Sequence, residues 1–266
     1  MKKLLITVLA VILFVSGHAQ TMPNKQEGAL KISKKIKVDG VSLEIDGQFK
    51  ALNNATGLFY SIANTDKLLY IVLQANEPEI INKIALTGVT FTVKSLDNKN
   101  NKVGLTYPAQ SKDVHVYFNL ITRKSQKPDT SKRAVDSTMA TNNKKATENF
   151  KRIKVEGVAN ADTISIYNDL GIEAFGKFDA KKAFTVEMAL PLEILRQEIN
   201  QANTFAYELT VNGAPPIWVG PAVITTGSTD PVATARADAE FQKALEIVNA
   251  KRTAQTSVSG EYTLAK

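Results

Sequence analysis

The pattern of apolar and polar positions is organised around Thr56 to Leu73. Two runs rich in aromatic and branched residues flank the turn-forming Asn64-Thr65-Asp66-Lys67, as in an antiparallel hairpin. Leu68 to Leu73 is apolar at every position, which predicts a central strand covered on both faces. Upstream, Val41, Leu43 and Ile45 alternate between the turns Asp39-Gly40 and Asp46-Gly47, predicting a short strand packed on one face. Val89 to Val93 and Lys102 to Tyr107 predict a second hairpin. Val114, Val116 and Phe118 alternate with His115, Tyr117 and Asn119, predicting a strand over Lys112 to Ile121. Further strands are expected over Arg152–Val158, Asp162–Tyr167, Ile172–Phe178, Phe184–Leu190, Phe205–Val211 and Val258–Leu264.

Helical spacing is sparser. Pro78 with Ile80, Ile81 and Ile84 predicts a short helix ending near Gly88. Met139 to Phe150 predicts another, weakened by Thr141, Asn142 and Asn143. Pro191 sits where a third can start, with Leu192, Leu195 and Ile199 on one side. Asp230-Pro231 is a strong helix start. Ala237, Phe241, Ala244, Leu245 and Val248 then recur at helical spacing as far as Lys251 and Arg252. Its alanines make that stripe weakly apolar, which suits packing on the rest of the domain better than membrane insertion. The fold expected is mainly β: a single antiparallel β-sandwich with a few short helices and one longer amphipathic helix near the C-terminus.

Composition sharpens this picture at the N-terminus. Met1 to Ala19 has Lys2 and Lys3, an apolar run from Leu4 to Val15, and small residues at Gly17 and Ala19, predicting a secretory signal cleaved between Ala19 and Gln20. Its apolar run is too short for a transmembrane helix, so no membrane span is expected after signal removal, and the location expected is periplasmic or secreted. Residues 20–30 read as a flexible leader and 31–266 as the sandwich domain. That domain carries a basic insertion at about 122–151 and a helical insertion at about 231–252. The chain has no cysteine, which excludes disulfides, a thiol nucleophile and thiolate metal sites.

The formal net charge of +7 is concentrated between Arg123 and Arg152, which carry +6. Those cations are interleaved with Ser, Thr, Asn and Asp rather than aromatics, the pattern of a solvated insertion and not of a nucleic-acid site.

Several stretches resemble one family. They are Val38-Asp39-Gly40, Thr56 to Asn64 with Leu69-Tyr70-Ile71, Tyr167-Asn168-Asp169-Leu170-Gly171-Ile172-Glu173-Ala174, and Val186 to Leu192. Together they resemble the family 9 carbohydrate-binding modules, and more closely the secreted bacterial proteins that share that DOMON-like sandwich. The resemblance implies an antiparallel sandwich and, in characterised members, a sugar clamped between two tryptophans. This chain has one tryptophan, and Phe49 and Leu52 stand where related chains often carry another. Bound calcium also occurs in the family, but no dense Asp/Asn calcium loop is present.

Sugar binding needs flat apolar faces with hydrogen-bonding groups nearby. Trp218, in the Pro-rich run Pro215 to Pro221, and Tyr167, beside Asn168, are the candidate ligand-binding residues. Tyr60 and Tyr70 are expected in the core. His115 is the one histidine beyond the signal, so a histidine-rich metal site or a Ser-His-Asp triad lacks company, and it reads as a structural strand residue. Glu173 and Glu187 lie in adjacent predicted strands and could act as a glycosidase pair, but carboxylates in such strands usually form a solvated face. No catalytic residue, metal or cofactor is expected. The function expected is non-catalytic binding of a carbohydrate or cell-envelope glycan. The alternative is a structural or protein-interaction sandwich that has lost the sugar site, with a protein partner.

Overall fold

The computed structural model describes residues 22–33, 36–41, 49–98, 100–110, 114–120, 131–218 and 231–266. The hairpin is β2 (Leu58–Asn64) and β3 (Leu68–Ala75), with Ile62 opposite Ile71. β3 lies third of five in a sheet ordered β1 (Ala51–Asn53), β2, β3, β9 (Phe184–Pro191), β8 (Glu173–Phe178). The second sheet is ordered β11 (Thr256–Thr263), β10 (Thr204–Val211), β4 (Val89–Lys94), β5 (Lys102–Tyr107), β6 (Arg152–Glu156), β7 (Thr163–Ser165). Neighbouring strands pair antiparallel throughout both sheets. Leu69, Ile71, Leu73, Val186 and Met188 from one sheet share a buried core with Phe91, Leu105, Ile153 and Leu209 from the other. This is the β-sandwich that the strand pattern predicts. Tyr60 and Tyr207 satisfy each other across it, their hydroxyls 3.0 Å apart.

The unbroken apolar run in β3 has a clear cause. Its alternate residues Tyr70 and Val72 point away from the main core, into a second cluster with Ile32, Ala63 and Ala189, roofed by Leu30, Ile36, Val38 and Phe49. Both faces of the strand are therefore covered. Residues 22–30, read as a flexible leader, are hydrogen-bonded to the sandwich. The Gln26 side chain accepts from Ile62 N and donates to Ile62 O, each at 2.7 Å, in the manner of a neighbouring strand.

Helix α1 (Pro78–Thr87) ends at Gly88 as expected. There φ is +77°, and a Cβ would lie 2.6 Å from the Pro108 carbonyl oxygen, so only glycine fits. Helix α2 (Lys132–Asn149) begins a full two turns before the expected start, with Ser131 accepting from Ala134 N. The two asparagines that weaken its helical signal are the residues that dock it. Asn142 accepts from Asn119 N at 3.0 Å and donates to Asn119 O at 3.2 Å; Asn143 accepts from Phe178 N at 2.7 Å and donates to Phe178 O at 3.0 Å. The described part of the basic stretch is thus not a freely solvated insertion, because Met139, Asn142, Ala146 and Phe150 are buried.

Three further expectations change. Val114 to Leu120 keeps its alternation, with Val116 and Phe118 buried, but forms no strand. Asn142 takes the Asn119 backbone groups that a ladder would use, and Phe118 joins an aromatic cluster 4.7 Å from Phe178 between ring centres. After Pro191 the chain makes i to i+3 turns rather than an α-helix, with Leu195 buried. Helix α3 (Pro231–Thr253) has Phe241 and Leu245 half-buried but Ala244 and Val248 exposed, so its stripe is not laid down on the sandwich. Several anchors hold its C-terminal end and the residue that follows it. Asn249 bonds both backbone groups of Ile217, Arg252 donates to Pro215 O, and Lys83 donates to Ala254 O. The signal segment with Ala19 and Gln20, Leu43, Ile45, Asp46-Gly47, Lys112, Ile121, residues 122–130 and the helix-start signal at Gly227 to Asp230 lie outside the described residues.

Candidate functional site

The antiparallel order β10, β4, β5, β6, β7 makes β10 and β7 run in the same direction. Their C-terminal ends therefore leave the six-stranded sheet at one end, four strand spacings apart, about 19 Å. Trp218 follows β10 and Tyr167 follows β7, and they are the most exposed aromatic side chains described, at 86% and 79%. The two rings do not touch. They do not clamp face to face: Tyr167 follows β7 by two residues, whereas Trp218 lies seven residues beyond β10, next to the Ile217 held by Asn249.

Each ring stands on a pinned backbone. Ile217 donates to Asn249 Oδ1 at 2.7 Å and accepts from its Nδ2 at 3.0 Å, while Arg252 Nε donates to Pro215 O at 2.6 Å. Asn168 closes the Tyr167 loop: its Nδ2 donates to the carbonyls of Ser165 and Ile172, and its Oδ1 accepts from the amides of Leu170 and Ile172. The side chain of Asn168 is thus used up in shaping the loop that carries Tyr167. Lys151 Nζ lies 5.6 Å from the Tyr167 ring centre, a cation–π contact.

Between the ends of β10 and β7, the sheet opens into a cleft of about 370 Å³ lined by Leu86, Ala109 and Val114 together with Thr87, Thr106, Gln110, His115, Lys154 and Pro215; neither Trp218 nor Tyr167 lines it. Thr87, Thr106 and Lys154 also line a second hollow that runs on past Thr90, Gly104, Glu156 and Asn212. Hydroxyls and amides here are held in place: Thr90 and Thr106 Oγ1 lie 2.8 Å apart, and Asn212 Nδ2 donates to Thr90 Oγ1 and Thr87 O, both at 3.0 Å. His115 is not in the strand expected of it; it is exposed on the cleft wall, its ring parallel to that of Tyr117 within 11°.

Charge on the outer face of this sheet is uneven. Lys94 is paired with Glu208, and Lys102 with Glu156 at 2.7 Å. Arg152 and Lys154, on alternate positions of β6, are exposed and enter no ion pair among the described residues. The cleft end of the sheet is left cationic.

Glu173 and Glu187 do share the outer face of the five-stranded sheet, since Glu173 pairs with Ala189 and Phe175 with Glu187. Glu187 is not part of a solvated face: it is 0% exposed. Its Oε2 accepts from the amides of Asp39 at 2.8 Å and Gly40 at 2.7 Å, and its Oε1 accepts from the Tyr70 hydroxyl. The carboxylate ties the Asp39-Gly40 turn down over the sheet, and the two glutamates do not open on one cleft. Among the described residues no three metal-ligating side chains gather, and no helix is long and apolar enough to cross a membrane.

Sequence reasoning singled out the two rings and not the cleft residues Thr87, Thr106, Gln110 and Lys154, nor Arg152, which stands beside Lys154 on β6 without lining the cleft. Part of the signal was present, in the alternation of Arg152, Lys154 and Glu156 with the buried Ile153 and Val155. No protein-family model and no curated protein matches the chain. Among solved structures, a family 9 carbohydrate-binding module from Caldicellulosiruptor kristjanssonii, in complex with glucose, is similar at 10% identity and a TM-score of 0.39, over 91% of this chain and 96% of that one. The likeness is a distant one of sandwich fold and does not extend to the DOMON-like assignment.

Proposed function

We propose that this chain is a secreted, non-catalytic module that binds a glycan across the cleft end of its six-stranded sheet. The observation that carries the reading is the placement of Trp218 and Tyr167. Both rings are exposed on hydrogen-bonded loops that follow β10 and β7, strands that end at the same end of one sheet, and the cleft between those ends, though lined by neither ring, offers fixed hydroxyls and amides beside an apolar wall. An exposed aromatic ring on a pinned backbone offers a flat apolar face at little entropic cost, and the hydroxyl-lined cleft offers orientation. The experiment is a glycan array probed with the purified chain, expressed with its own leader, and with Trp218→Ala and Tyr167→Ala. Binding lost in both variants supports the reading; binding indifferent to both overturns it.

A second reading, a protein-interaction sandwich, draws on a different surface. Ile217, Ile247 and Val248 are exposed along a cleft of about 400 Å³ between α1 and the end of α3, beside Lys251 and Arg252. Under that reading Val248→Asp abolishes capture of a protein partner while the Trp218 and Tyr167 variants retain it.

A further inference from the structure

We propose that the glycan taken by this cleft is an acidic one, held by Arg152 and Lys154; the inference rests on the glycan reading above and names its ligand class. Three observations carry it. The side chains of Arg152 and Lys154 project from the same face of β6, two residues apart, toward solvent. Their cross-strand neighbours on that face are Ser165, Thr163 and Thr106, all hydroxyl residues, and no acid stands directly opposite either cation. The remaining bases on the face, Lys94 and Lys102, are already neutralised by Glu208 and Glu156.

The asymmetry along the sheet points the same way. The outer-face acid without a partner is Glu261 on β11, which pairs with Ala206 at the far edge. The face is thus polarised: Glu156, the acid that lines the second hollow, is taken by Lys102, while Lys154 in the cleft and Arg152 beside it enter no ion pair among the described residues. Asp162 and Asp169 are the nearest acids in sequence: Asp162 adjoins Thr163, the residue opposite Lys154, and accepts from the Thr163 hydroxyl at 3.2 Å without forming an ion pair with Lys154, and Asp169 follows Tyr167 in the loop closed by Asn168. A guanidinium and an ammonium flanked by hydroxyls match a sugar ring bearing a carboxylate, which takes charge-assisted hydrogen bonds from the cations and a neutral one from Ser165, whose Oγ accepts from Tyr167 N and keeps its own proton to donate. Tyr167, at the β7 end of the same edge, supplies the apolar face for the sugar ring itself. Nucleic acid would call for several aromatics among the cations, and the described edge has one.

The test compares binding of polygalacturonate, a neutral glucan and single-stranded DNA to the wild-type chain and to Arg152→Ala/Lys154→Ala. Both sites are exposed, so the variant should melt with the wild type. Each exposed charge contact is worth up to about fivefold in affinity, so the double variant should lose roughly 3- to 30-fold for polygalacturonate and nothing for the glucan. Polygalacturonate affinity should also fall as salt rises from about 0.02 to 0.5 M. Glucan binding without a preference for polygalacturonate overturns the acidic assignment and leaves the glycan reading standing. Polygalacturonate binding that is indifferent to the double variant overturns the assignment to Arg152 and Lys154. Tighter binding of DNA than of polygalacturonate, or binding to no glycan by a folded chain, overturns both.

Discussion

Removing the buried carboxylate of Glu187 should loosen the cover of the five-stranded sheet before the sandwich itself fails. In Glu187→Ala the amides of Asp39 and Gly40 and the hydroxyl of Tyr70 lose their acceptor. A buried donor left unpaired costs about 1–3 kcal/mol. Water entering the vacated space can serve one or two of the three, so the loss should be about 3–5 kcal/mol. Glu187→Gln is the control. Its amide oxygen can keep both backbone donors while Tyr70 turns to accept from the NH₂, so only the charge assistance goes, about 1–2 kcal/mol. Urea unfolding gives the two losses, and amide exchange at Asp39 and Gly40 shows where they fall. Exchange there should accelerate most in the alanine variant, because the turn is released while Ile62, Ile71 and Met188 stay packed. An alanine variant within about 1 kcal/mol of wild type, or no worse than glutamine, would refute the clamp.

Other outcomes follow from the same reasoning. Gly40 has φ +76°, and a Cβ there would sit 2.4 Å from Lys177 Cβ, so Gly40→Ala should cost at least about 2 kcal/mol in urea unfolding through clash and strain. Asn142→Ala removes both bonds to the Asn119 backbone from a fully buried position and should cost about 2–3 kcal/mol, with faster exchange of the Asn119 amide. Glu198 is buried with Oε2 unpaired, and desolvation pushes its carboxyl above the usual range. A raised folded-state value means the folded chain holds the proton more tightly, so this contribution is present at acid pH and lost as pH rises through that value. Glu198→Gln should therefore raise stability at pH 7 by about 0.5–1 kcal/mol, and thermal melts should show the advantage vanish below about pH 4.

Much of the fold was legible because strands announce themselves by alternation and glycine-containing turns. The all-apolar β3 gave away its central place, and Gly88 marked the end of α1. What stayed hidden depended on partners distant in sequence. Asn142 and Asn143 argue against a helix by propensity, and only Asn119 and Phe178, 23 and 35 residues away, show why a helix needs them. Glu187 occupies a position that alternation places on an outer face, and the segment that buries it arrives from 147 residues upstream. The site divided in the same way. Trp218 and Tyr167 stood out by type, whereas the cleft is assembled from α1, β5, β6 and the segments after β5 and β10, which sequence spacing does not bring together.

Trp218 is the only tryptophan in the chain, so the intrinsic fluorescence of the unaltered protein reports on that one ring. Its emission should be that of an indole in water, as its exposure requires, and titration with an array-positive glycan should shift it to the blue along a saturable curve. The midpoint should match the dissociation constant measured calorimetrically in the same buffer, and Tyr167→Ala should move both together. A glycan that binds to saturation by calorimetry and leaves the Trp218 emission unchanged would place the ligand elsewhere and contradict the site described above.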